Sequence, residues 1–297
     1  MDYRKLHKLS SIFFGIIVAV GGLYGFLVSW LFMSTTPGMV MYLVYLLDSI
    51  KSGYSLGSVG DLHQVMISSV LWVLSIILIW RFVAAIASTF NLVVRTRQFI
   101  GSLKIVRIEP NKIIFNSVLG EIFTAGLLKP KIFVASGLSK LHTSREIEAM
   151  ISHEERHVRS RDPLRTTVVS LLGKATPYFP LKEKIIRDFY ILVEICADKS
   201  AEEKIEDKLP VITALYKRMG MEKGFISMGI NYFNSQSERI AVLVGKKILS
   251  NKLTLGVLGV VAASLVFFVL AASRTELYTC PHLAECIANL GRIKVLH

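Results

Sequence analysis

Three stretches of this 297-residue chain are long and apolar enough to cross the hydrocarbon core of a bilayer, which takes ~20 helical residues. Residues 11–33 and 253–273 carry no charged side chain. Residues 65–87 carry only Arg81, close enough to one end to snorkel to the interface. The chain is 52% apolar and only 19% charged, which excludes a disordered protein, and its three cysteines exclude a disulfide-built scaffold. Arg4, Lys5, His7 and Lys8 before the first run have the character of a signal-peptide head. The run that follows is too long for a cleaved core, so a signal anchor is expected.

Charge placement sets the expected orientation. The formal net charge is +13. Between the first two runs Lys51 is opposed by Asp48 and Asp61, whereas residues 91–252 hold 27 Lys/Arg against 17 Asp/Glu, a net of +10. Arg95 and Arg97 follow the second run, and Lys246, Lys247 and Lys252 precede the third. The positive-inside rule then predicts a multi-pass plasma-membrane protein whose N-terminus and central block face the cytosol, with a short tail outside. The expected division is a membrane region at 1–90, a cytosolic domain at 91–252, a third transmembrane helix at 253–273 and an extracytoplasmic tail at 274–297. Cys280 and Cys286 of that tail are either a disulfide or two separate thiols; Cys196 lies on the reducing side. Basic residues dispersed among acids, with no nucleic-acid motif, point to the lipid bilayer as their partner and not to direct nucleic-acid binding.

Within the central block, Lys104–Glu109 alternates polar and apolar as a half-buried strand does, Pro110-Asn111 marks a turn, and Lys112–Phe115 and Ile132–Ala135 read as further strands. Thr143-Ser144-Arg145-Glu146 is a capping box that opens a helix running to about Arg161, where Pro163 favours a break and a new start. The apolar but short stretch 168–180 is expected at the membrane interface, and a further helix is expected from about Leu181 to Ile205. The fold class predicted is an α+β integral membrane protein, with three transmembrane helices and a mainly helical domain carrying a small β-sheet.

The helix that the capping box opens contains His153-Glu154-Glu155-Arg156-His157. Histidines at i and i+4 project from one helix face, so His153 and His157 can ligate one metal ion, and neutral imidazoles suit Zn²⁺. Glu154, beside the first histidine, is placed to act as general base toward a water that the metal activates. Thirty-seven residues beyond His157 comes Glu194, with Asp198 four residues later, on a helix otherwise apolar through Ile191, Leu192, Val193, Ile195 and Ala197. A carboxylate among such neighbours needs a partner. Glu194 is the expected third ligand of a glutamate-type zinc peptidase, and Asp198 the group that orients a ligating histidine.

HEERHVRSRDPL, the preceding GLLKPKIFVASGL and the later VEICADKSA resemble the BlaR/MecR-type membrane zinc peptidases, over roughly residues 100–245. The zinc site is also similar to that of the HtpX and CAAX-prenyl membrane proteases. The resemblance implies His153, His157 and Glu194 as zinc ligands, Glu154 as general base and Asp198 in support. It adds Asp162, where the family keeps an aspartate, and Arg239 in an Arg-Ile element, each with a site or structural role. It implies a gluzincin-type endopeptidase acting on protein or peptide substrates, including a cytosolic transcriptional repressor. Two departures stand out. The middle pair, Glu155-Arg156, is charged where the family's is uncharged, so Glu155 is either buried against an arginine or on an open cleft wall. Only 24 residues follow the third run, so the β-lactam sensing of the antibiotic receptors is not expected. Candidate oxyanion donors are Tyr178, Tyr190 and Arg239. His7 and His63 are read as interfacial and His142 as a loop residue. The competing reading is a catalytically inactive membrane signalling or scaffold protein that retains the fold, with Glu155-Arg156 as its main support.

Overall fold

A computed structural model describes residues 3–52, 62–118, 120–176, 182–221, 235–245 and 263. The expected third span, the tail and Cys280 and Cys286 lie outside these residues, as does Tyr178. The protein is mostly helical with one small mixed sheet. The described residues fall into two compact units, one holding residues 3–19 and 84–245, the other 20–52 and 62–83.

Two long helices carry the apolar runs. Helix α1 (Tyr3–Ser52) has 50 residues and α2 (Leu62–Ser102) has 41, so at ~1.5 Å per residue each exceeds the ~30 Å of a bilayer core. Their membrane-compatible stretches, Lys5–Val44 and Met66–Ser102, extend well past the expected spans at 11–33 and 65–87. Helix α1 continues even through the breaker residues Pro37 and Gly38. In the smaller unit, Trp72 Nε1 donates to Thr36 Oγ1 at 3.1 Å, and Thr35 and Thr36 return their hydroxyls to the carbonyls of Leu31 and Phe32, keeping polar groups satisfied in apolar surroundings.

In the larger unit the sheet runs β1 (Ile105–Ile108), β2 (Lys112–Phe115), β4 (Lys131–Ala135), β3 (Ile122–Ala125), with β2 and β4 parallel and the outer pairs antiparallel. Strand β1 forms where its alternation predicts, but all four of its residues are exposed, so the pattern that implied a buried face is misleading; a bulge between Ile105 and Arg107 breaks its register. Strand β3 was not foreseen. Helix α3 (Leu138–Leu141) follows the sheet. Then come α4 (Ser144–Ser160), α5 (Asp162–Ala175), α6 (Lys182–Ile205), α7 (Leu209–Met221) and α8 (Ser235–Leu243). One face of the sheet covers Ile100 and Leu103 at the end of α2, while Ile122 and Ile132 pack toward Ile147 and Met150 of α4. Helix α6 is the centre of the main core, where Phe189 through Val193, Ile195 and Cys196 meet Val169 of α5 and Leu6 and Phe13 of α1. Residues 168–175, expected at the membrane interface, are thus part of a helix with Val169 and Ala175 fully buried in protein.

Gly137, between β4 and α3, sits where a Cβ would lie 2.6 Å from Val118 O and 2.7 Å from Ser117 O. Backbone carbonyls cannot rotate away, so Gly137→Ala should cost roughly 1–3 kcal/mol. The expected result is a lower unfolding temperature of the detergent-solubilised protein; an unchanged temperature contradicts this packing.

Candidate metal centre

Helix α4 begins as the sequence predicts. Thr143 Oγ1 accepts from Glu146 N at 3.3 Å and Glu146 Oε2 accepts from Thr143 N at 3.1 Å, a reciprocal cap. Ten residues into the helix, His153 and His157 share a face, with ring centroids 4.8 Å apart and planes at 78°. The helix ends on Arg161, whose left-handed conformation (φ 51°) turns the chain so that α5 starts at once on Asp162 and Pro163. This tight corner returns Asp162 to the helix it has just left, and its Oδ2 accepts from His157 Nδ1 at 3.0 Å.

Helix α6 supplies the matching pair. Asp198 Oδ1 lies 2.9 Å from His153 Nδ1, and Glu194, one turn earlier, brings Oε2 to 3.5 Å from His153 Nε2 and Oε1 to 3.6 Å from His157 Nε2. Both Nδ1 atoms therefore face carboxylates and carry their protons there. The two Nε2 atoms point at each other across 3.1 Å beside a third acceptor, and the donor atoms of His153, His157 and Glu194 lie within 4.8 Å of one another. Lone pairs converging in this way are satisfied by a shared proton or by a metal cation between them. Two imidazole nitrogens and a carboxylate are the donor set of an open-sided zinc site, so the residues fit the metal.

The surrounding charges are balanced in layers. Arg239 of α8 holds Asp198 with two hydrogen bonds, Nε to Oδ2 at 2.8 Å and Nη2 to Oδ1 at 2.7 Å, and its Nη1 lies 2.9 Å from Glu194 Oε2. Burial raises the Asp198 pKa, but Arg239 and His153 overcome this and hold it at about 2; Glu194 is likewise held well below the usual carboxylate range despite burial, chiefly by Arg239. On the other side, Asp162 is depressed against its burial by His157, Arg156 and Arg165. Burial disfavours the His153 imidazolium, yet Asp198 and Glu194 push its pKa up to about 9.

Glu154 is buried and faces the same cleft as His153, Asp198 and Arg239, beside Ile122 and Met150. Its Oε2 accepts a 2.7 Å hydrogen bond from Thr124 Oγ1 of β3, a contact that no sequence pattern announces because β3 has only four residues. Of the two placements left open for Glu155, the buried one is not seen. Glu155 points outward to Lys204 at 2.6 Å, while Arg156 is the buried member, 1% exposed, with Nη1 3.5 Å from Asp162 Oδ2. Tyr190 is not an oxyanion donor here: its hydroxyl donates to Thr166 O at 3.1 Å within the α5–α6 core. His142 is buried against Glu146, at 3.2 Å, away from the ligand cluster. His7, read as interfacial, instead has Nδ1 3.0 Å from Arg156 Nη2.

Metal-free protein opens these electrostatics to measurement. The raised His153 pKa contributes stability to chelated protein that is full below about 6.5 and lost as pH rises through about 9. The depressed Asp198 pKa contributes stability that is full above 3.8 and lost as pH falls through about 2. Calorimetry of chelator-treated protein should therefore find the highest unfolding temperature between about pH 4 and 6.5, with a decline toward pH 9. A profile flat from 6.5 to 9 contradicts the assigned geometry around His153.

No curated protein matches the chain. The model of Peptidase family M48 matches residues 121–289, more than half of the sequence, and spans both α4 and α6 with the clustered His153, His157 and Glu194. The chain belongs to Peptidase family M48, whose members are metal-dependent peptidases.

Proposed function

We propose that the protein is a membrane-anchored zinc endopeptidase in which His153, His157 and Glu194 hold the metal and Glu154 is the general base. The observation that carries this reading is the convergence of two Nε2 atoms and one carboxylate, with each Nδ1 anchored to its own aspartate. Zinc at such a site supplies Lewis acidity, polarising the scissile carbonyl and lowering the pKa of water toward ~7. Glu154 takes the proton of the attacking water and delivers it to the leaving amine. Thr124 fixes the Glu154 carboxylate, while Asp162 and Asp198 keep both ligating rings in the tautomer that offers Nε2.

Strand β3 gives the cleft a wall suited to an extended peptide. Glu121 O accepts from Ala135 N, so in the alternation of an antiparallel ladder Phe123 and Ala125 bond to β4, and Ile122 and Thr124 turn their backbone groups to the open edge. A substrate segment adds there as a further strand, next to Glu154. The two long apolar helices support a bilayer location, the basic central block supports a cytosol-facing active site, and the resemblance to BlaR/MecR-type proteins supports regulatory cleavage of a cytosolic repressor. The scaffold reading loses its main support, because Glu155 and Arg156 are paired away from the cleft, with Lys204 and Asp162.

Purified full-length protein should contain close to one zinc per chain and cleave an unfolded protein substrate. Glu154→Gln should keep the zinc and lose activity by roughly 10²–10⁴-fold, the worth of a general base, whereas His157→Ala should lose the zinc. Metal-free wild type, or an active Glu154→Gln, overturns the reading. Orientation requires an introduced reporter, since Cys196 is fully buried. A cysteine at exposed Glu203 should react with a membrane-impermeant thiol reagent only after cells are permeabilised, while Cys280 or Cys286 should react, once reduced, on intact cells; the reverse pattern inverts the topology.

A further inference from the structure

The first turns of α1 belong to the same compact unit as the candidate metal centre. Leu6 and Phe13 are buried in the α6 core, with Leu9, Phe14 and Ile17 packed against it, so one helical face docks along its length. Two polar residues interrupt that face, His7 and Ser10. Ser10 is fully buried, and both its carbonyl and its hydroxyl accept from Arg165 Nη2 at 2.9 Å. Arg165 is also held between the rings of Phe14 and Phe189, at 5.2 and 5.5 Å. His7 Nδ1 lies 3.0 Å from Arg156 Nη2.

These two arginines share one carboxylate. Arg165 Nη1 donates to Asp162 Oδ1 at 2.8 Å, and Arg156 Nη1 approaches Asp162 Oδ2 at 3.5 Å. The same Oδ2 accepts the Nδ1 proton of His157. A route of direct contacts thus runs from His7 and Ser10 through Arg156 and Arg165 to Asp162 and the ligand ring. A buried arginine has many rotamers and a large desolvation cost, and it is ordered only where its remaining N–H groups find acceptors. Here some of the acceptors come from a segment about 150 residues away in sequence (separations of 149 and 155) that carries none of the site's own motifs.

We infer that His7 and Ser10 are positioning residues of the metal centre: the N-terminal face of α1 fixes Arg156 and Arg165, these fix Asp162, and Asp162 fixes the His157 ring that binds zinc. The inference rests on the zinc reading of the site. Its consequence is that displacement of this part of α1 loosens the metal without touching a ligand.

The test uses the full chain in detergent micelles, with zinc affinity read by competition against a chromophoric chelator and the fold of chelated protein read by thermal unfolding. The double variant His7→Leu/Ser10→Ala removes two acceptors and keeps the apolar docking. It should bind zinc ~10–100-fold more weakly, the range for loss of an outer-shell partner, while the chelated protein still unfolds cooperatively, several degrees below wild type. His7→Asn/Ser10→Thr, which retains an acceptor at each position, should restore most of the affinity. Should the double variant fail to fold, each single substitution should still weaken zinc binding several-fold. Wild-type affinity in His7→Leu/Ser10→Ala, or in both single variants, overturns the inference alone, as does an equal loss in His7→Asn/Ser10→Thr. Wild type that binds no zinc overturns the metal reading, and the inference with it.

Discussion

Each of two imidazoles at the centre of this protein has its Nδ1 proton claimed by a buried aspartate, and much of the larger unit answers to that pairing. An ionised carboxylate nearly without solvent is tolerable only beside positive charge. Asp198 has Arg239 and Asp162 has Arg156 and Arg165, so two buried arginines and a third, partly buried one follow from two histidines. Each arginine in turn recruits structure: α8 for Arg239, the sharp α4–α5 corner that delivers Asp162, and α1 for the other two. The charges alternate outward from the ligand cluster until they reach neutral acceptors or solvent. Loss of one member leaves its neighbour buried and uncompensated, which is more costly than never having had the pair.

Much of this was legible where the chemistry is local. Helical spacing alone placed His153 beside His157 and Glu194 beside Asp198, and the capping box placed the start of α4 at the right residue. Strands β2 and β4 were readable because their residues are β-branched or aromatic and bounded by turn signals. Strand β3 was not, because Ile-Phe-Thr-Ala between Glu121 and Gly126 is too short to establish a period and is fixed as a strand by pairing with β4. The burial of Arg156 beside an outward Glu155 is hidden for a related reason. Which of two adjacent helix positions is buried depends on what packs there, and one of the groups that meets Arg156, His7, is 149 residues away.

Helix α1 illustrates the limit of hydropathy as a guide. Its apolar run satisfies the length and composition of a membrane span, and the same residues also satisfy a protein core, since Leu, Phe and Ile serve both. The discriminating residues are the polar ones. Ser10 on a lipid-facing surface would return its hydroxyl to its own helix, as Ser29 does to Gly25 O, whereas Ser10 accepts from a distant arginine. A single polar residue inside an apolar run thus carries more information about what the helix faces than the run itself.

Cys196 lies on α6 between Glu194 and Asp198, and a two-residue step on a helix points it away from both, into the core. Burial pushes its thiol up to about 12, so it is held as the neutral thiol, with neither the exposure nor the charge that oxidants and metals seek. The sulfur nearest in sequence to the candidate ligands is therefore withdrawn from them, and among the described residues the cluster offers only nitrogen and oxygen donors. A centre built this way has no thiolate ligand to lose to peroxide or disulfide exchange. Oxidants that open cysteine-ligated zinc sites would find no thiolate among the three candidate ligands.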